Sequence, residues 1–191
     1  MANLLKRIFK KCKQALAIED VIREKLPGDM QKNALDLIAF MKANGISPST
    51  TPRIDDTPEG KAYTYGSDSA NGGCGLILIE PGKPGWGYCY GGFYDSALLR
   101  NEYQDFPVDE NVKAFAWAHV SACRNFTTNG KECGCGYQPG RRITIFGKEF
   151  HHTCHGVMGF DNPDGEMLKL VKKLIDVRLQ INADAAKKDK T

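Results

Sequence analysis

The chain has 191 residues, with 26 basic against 23 acidic side chains, a formal net charge of +3 and seven cysteines. That length suits one domain able to bury roughly 70% of its unfolded surface, and a charge so near balance excludes arguing for nucleic acid from composition alone. No apolar run is long enough to span a bilayer and no secretory pattern opens the sequence, so a cytoplasmic protein with reduced thiols is expected, in which cysteines serve metal more readily than disulfides.

Residues 2–17 place Leu4, Leu5, Ile8, Phe9 and Cys12 on one helical stripe and Lys6, Lys10 and Lys13 on another, predicting a basic amphipathic helix over 1–17. Such a helix either rests on its own domain or meets an anionic membrane surface or nucleic acid. EDVIREKL predicts a second helix, stopped by Pro27-Gly28. Asp29 then reads as the N-cap of a third, with Met30, Ala34, Ile38 and Met41 inward and Asn44-Gly45 at its end. ISPSTTPRIDDTPEG has no apolar period and reads as a linker. KAYTYG, GCGLILIE and GWGYCYGG read as strands of an antiparallel meander. In the third, strand alternation sets Trp86, Tyr88 and Tyr90 on one face and Cys89 on the other; three rings in a row form either a core layer or the wall of a ligand cup.

DSALLRNEYQDFP predicts a short helix or irregular connection. Asp109 follows as the cap of a helix over VDENVKAFAWAHVSAC, with Val112, Phe115, Ala116, His119 and Val120 inward, which delivers Cys123. RRITIFGKEF reads as strand and turn, and HGVMGF as a short strand beside Cys154. Asn162 and Pro163 are placed as N-cap and first residue of a last helix whose Met167, Leu168, Val171, Leu174, Ile175 and Leu179 are apolar, and 182–191 reads as a frayed polar tail. The expected fold is α+β: an antiparallel β-meander packed against N-terminal and C-terminal helices, in one domain over 18–181 with a cysteine-rich metal-binding loop.

That loop carries the chemistry. Only Gly134 separates Cys133 from Cys135, while Cys123 and Cys154 arrive from the flanking elements, which suits a tetrahedral four-thiolate site. Asn125, Thr127, Asn129, Lys131 and Glu132 describe a solvated loop in which buried apolar cysteines are out of place. Zinc is the expected cofactor, with an iron–sulfur cluster as the alternative. His152, His155 and His119 are alternate ligands; His152 shares a strand face with Cys154, whereas His119 on an apolar face is more often a core residue. A catalytic zinc would need an open position and a base, for which Glu149 is the local candidate. H-E-x-x-H, the zinc-deaminase pattern, G-x-S-x-G and a phosphate-cradling loop before a helix are all absent. The leading reading is a non-enzymatic intracellular domain that binds a small molecule or protein partner through Trp86, Tyr88 and Tyr90. The alternatives are a zinc-dependent enzyme, and nucleic-acid binding through Lys6 to Lys13 or Arg141-Arg142.

FPVDENVKAFAWAHVSAC, the cysteine cluster, QPGRRITIFGKEF, a further Cys and the NPD run before the last helix together resemble a group of small uncharacterised proteins common in anaerobic bacteria. The likeness covers Ile18 to Arg178, and Pro139, Gly140 and Thr144 to Phe150 are its most specific part. The resemblance implies no activity, because none is assigned to that group. In element order, two helices before a meander, the chain is also similar to other small α+β bacterial domains.

Overall fold

Ile18, Val21 and Ile22 recur at helical spacing and are buried along α1 (Ile18–Lys25), where Glu19 and Asp20 in the first turn and Arg23 and Lys25 in the last complement the helix dipole. The computed structural model describes residues 15–69, 72–80, 85–91, 103–123 and 141–188. Within it Ala17 is extended, and the Leu16 amide donates to the Thr50 carbonyl at 3.0 Å. The predicted first helix therefore does not reach Ala17; residues 1–14 lie outside the described residues. α2 (Gly28–Ala43) starts after Pro27 with no side-chain cap. Asp29 sits inside its first turn, so it acts through the dipole and not as the cap expected of it. Ala34, Leu37, Ile38 and Met41 are buried, and Gly45 supplies the left-handed residue just past the end, at φ 73°.

Eight antiparallel strands follow: β1 (Ser47–Pro48), β2 (Arg53–Thr57), β3 (Gly60–Ser69), β4 (Gly72–Ile79), β5 (Trp86–Tyr90), β6 (Val120–Ala122), β7 (Arg141–Ile145) and β8 (Lys148–Asp161). The sheet order is β1-β3-β4-β5-β8-β6, with β2 beside β3 and β7 beside β8. β1 and β2 arise from the segment expected to be a linker. An outer strand with no buried face has nothing to alternate: Arg53 to Asp56 are all exposed, and only their pairing with Tyr63 and its neighbours makes them a strand. Between β5 and β6 in chain order comes α3 (Glu110–Ala118), where Asp109 is the predicted cap and accepts from the Val112 amide at 3.0 Å. The helix stops at Ala118, five residues short of Cys123, because Val120 and Ala122 pair with β8. β8 is one long strand where a turn and two shorter pieces were expected. It is entered by a two-residue hairpin in which Phe146 and Gly147 are both left-handed, at φ 48° and 79°.

α4 (Gly165–Lys188) is capped by Asp164, whose carboxylate accepts from the Met167 amide at 2.9 Å. Asn162, the cap expected from sequence, is left-handed instead (φ 43°), and its side-chain oxygen accepts from the Trp86 amide at 3.1 Å, tying the helix entry to β5. The tail expected over 182–191 is helical as far as Lys188. Ile181 and Asn182 extend the buried stripe of Leu168, Val171, Leu174, Ile175 and Arg178, and Gln180 and Lys187 bond to Asp184 along the exposed side.

Among the described residues a single apolar cluster joins the four helices to one face of the sheet. Its centre is aromatic. Phe115 stacks on Phe160, Phe160 on Tyr88, and Tyr88 meets Tyr90 edge-on, with Tyr103 beyond. The polar atoms in this layer form a directed chain. Arg178 donates to the Tyr103 hydroxyl at 3.4 Å, and the Tyr90 hydroxyl donates to the Leu174 carbonyl at 2.8 Å. Tyr103 must then donate across the 2.9 Å between the two phenols. The opposite sheet face, with Thr64, Leu76, Leu78 and Cys89, is only half-buried.

Candidate functional site

β8 is where the candidate site begins. Thr153 is paired with both Ala122 of β6 and Arg141 of β7, and Met158 with both Tyr90 of β5 and Val120 of β6. One residue can have two partners only on opposite sides, so β6 runs along one edge of β8 while β7 and β5 share the other. Between those two points β6 steps from Val120 to Ala122 while β8 steps from Met158 to Thr153, so β8 carries three surplus residues in an enlarged bulge. The end of β5, the end of β6 and the start of β7 all meet the bulge, which holds Cys154. The Cys123 amide donates to the His152 carbonyl at 2.7 Å, so both ends of the cysteine-rich segment are clamped into one ladder.

Cys123 is buried, Cys89 and Cys154 are half-buried, and none of the three is in a disulfide. Burial, with Cys154 and Asp161 nearby, pushes the Cys89 thiol up to about 11. Cys133, Cys135 and the His155 side chain lie outside the described residues. Among the described residues no three His, Cys, Asp or Glu side chains come together as an ion site. The described part of the predicted four-cysteine set therefore supplies Cys123, just past the end of β6, and Cys154 on β8.

The remaining predicted residues are placed elsewhere. His119 packs against Phe115 and Phe160, ring centroids 4.4 and 5.0 Å away, and its Nδ1 lies 2.8 Å from the Phe115 carbonyl. It sits in the core layer, as an inward histidine on a helix often does. His152 is exposed and left-handed at φ 57°, a conformation that breaks the strand alternation on which its preference as a ligand rested. Glu149 is held at the surface by His151 at 2.7 Å and Arg142 at 3.7 Å. Trp86, Tyr88 and Tyr90 are at most 1% exposed and form the core layer, not the wall of a cup. Tertiary packing covers them: four helices need one sheet face to bury against, and this face carries the rings. No known protein family, curated protein or solved structure matches this chain.

A cleft of about 70 Å³ is lined by Leu78, Glu80, Gly87, Cys89, Gly159 and Asp161 together with Trp86 and Tyr88, well below the roughly 300–1,000 Å³ of ordinary small-molecule pockets. Cys89 is the residue sequence reasoning left without a role. Alternation did set it apart from the aromatic face; the surplus residues that β8 carries against β6 leave no mark in the pattern of either strand.

Proposed function

We propose that the chain is a metal-braced, non-enzymatic binding domain in which Cys123, Cys133, Cys135 and Cys154 hold one zinc ion. The observation that carries this reading is the 2.7 Å bond from the Cys123 amide to the His152 carbonyl. It joins the two stems of the cysteine-rich segment, which supports a reading in which one ion fastens the segment between them. Thiolate coordination of zinc supplies on the order of 10 kcal/mol toward folding at neutral pH, comparable to the whole stability of many domains. The burial of Trp86, Tyr88 and Tyr90 leaves the partner, a small molecule or a protein, to another surface of the domain. Glu149, engaged by His151 and Arg142 at the surface, gives a zinc-enzyme reading no poised base.

Elemental analysis of full-length protein purified without added metal tests the proposal. About one zinc per chain is the expected result. Brown protein containing iron and acid-labile sulfide would replace zinc by a cluster, and colourless, metal-free, folded protein with four free thiols at these positions would refute the site.

A further inference from the structure

The sheet face turned away from the helices is built in rows. One row crosses five strands: Arg53 of β2 pairs with Thr64 of β3, Thr64 with Leu78 of β4, Leu78 with Gly87 of β5, and Gly87 with Asp161 of β8. Directly paired residues share a face, so a cation begins this row, an anion ends it and a leucine stands at its middle. The next row runs Gly66, Leu76, Cys89 and Gly159. The Asp161 carboxylate leans over the row, 3.3 Å from where a Cβ on Gly87 would stand. Arg53 and Asp161 are exposed; Leu76 and Leu78 are half-buried and take no part in the apolar cluster under the helices.

These rows are complementary to themselves. A two-fold axis running along β4, midway between two facing sheets, sets each row against the same row of a second copy with the strand order reversed. On the axis Leu78 meets Leu78 and Leu76 meets Leu76. One strand out, Thr64 stands over Gly87 and Cys89 over Gly66, a side chain against a glycine both times. Two strands out, Arg53 meets Asp161. Arg53 already gives its Nε–H to Asp55 at 2.8 Å, which leaves the other guanidinium donors for a second carboxylate. Moving the axis to lie between β4 and either neighbouring strand separates Arg53 from Asp161, so opposite charge and large-against-small packing select the same axis. Glu80, which lines the cleft beside Leu78, then faces its own copy, a like-charge contact at the end of the patch.

We propose that a second copy of this chain covers this face, the two sheets packing face to face about the β4 axis in a symmetric dimer with the helices outermost. The contact uses neither an ion nor the cysteine-rich segment, so it stands apart from the metal reading. Four strand spacings from β2 to β8 span about 19 Å, a patch at the low end of specific interfaces. The dimer therefore forms in a concentration-dependent way, with Kd on the order of 10–100 μM.

The test is sedimentation equilibrium of the full chain under reductant, from about 5 μM to about 1 mM, which should show monomer passing to dimer. Arg53→Asp and Asp161→Arg each set like charges against one another at both ends of the interface, and each should weaken self-association at least about tenfold. Both positions are exposed, so the fold is kept. An equimolar mixture of the two variants restores opposite charges at both ends and should dimerise within about threefold of the natural chain. Glu80→Gln should tighten the dimer. A natural chain that stays monomeric throughout would overturn the proposal and leave the face to a different protein. Self-association undisturbed by either charge variant, or a mixture that fails to recover it, would overturn both the axis and the face.

Discussion

Replacing Tyr90 by Phe separates a core layer from a binding face. The ring is fully buried, its hydroxyl donates to the Leu174 carbonyl at 2.8 Å, and the Tyr103 hydroxyl lies 2.9 Å away. The substitution keeps the ring volume, so no cavity contributes. The Leu174 carbonyl retains its helical partner four residues on, and the 2.9 Å bond between the two hydroxyls is lost. Losing buried hydrogen bonds of this kind costs about 0.5–1.5 kcal/mol, which for a domain of this size lowers Tm by roughly 1–6 °C. Urea unfolding with an unchanged m-value measures it. The cycle with Tyr103→Phe sharpens the test: the two hydroxyls share one bond, which either single variant already removes, so the double variant should cost less than the sum, with a coupling of at least about 0.5 kcal/mol. A Tyr90→Phe change within about 0.5 kcal/mol of the natural chain, the range of surface substitutions, or strict additivity in the cycle, would refute the directed hydroxyl chain and reopen the aromatic face as a surface.

Tyr65 should behave oppositely. Its hydroxyl is buried and bonded to no group among the described residues, so Tyr65→Phe should be neutral or stabilising by up to about 1 kcal/mol in the same denaturation assay. Burial pushes its phenol up to about 12. Because the folded-state value is raised, the stability it contributes is intact below the ordinary tyrosine value of about 10 and is lost as pH rises toward 12, so its phenolate absorbance should appear together with alkaline unfolding. Gly75→Ala should cost about 3 kcal/mol or more by thermal melting, since Gly75 has φ 138° and a Cβ there would overlap the Cys89 carbonyl; Gly165→Ala, in open space at the start of α4, should stay within about 1 kcal/mol. Cys135→Ser should lower the melting temperature far more than Cys12→Ser, and chelator should remove that difference; equal shifts for the two before chelation would count against the metal site.

Periodicity made much of the architecture legible. The stripe Leu168, Val171, Leu174, Ile175 could bury itself only as a helix, and the alternation of Trp86, Tyr88 and Tyr90 only as a strand. Local chemistry likewise identified Asp109 as a cap and Gly45 as a helix end, because those roles depend on atoms within a few residues. Tertiary structure decided what depends on a distant partner. Arg53 to Asp56 became a strand only because β3 offered an edge, and Val120 to Ala122 left the helical period only because β8 did. Asp164 and not Asn162 capped α4, since Asn162 was already committed to Trp86. The aromatic row was visible in the sequence but its burial was not: alternation specifies which side chains share a face, and only the helices packed above determine whether water reaches it. The bulge of β8 is the extreme case, because it is created by a mismatch in residue count between β6 and β8 that neither strand's own sequence contains.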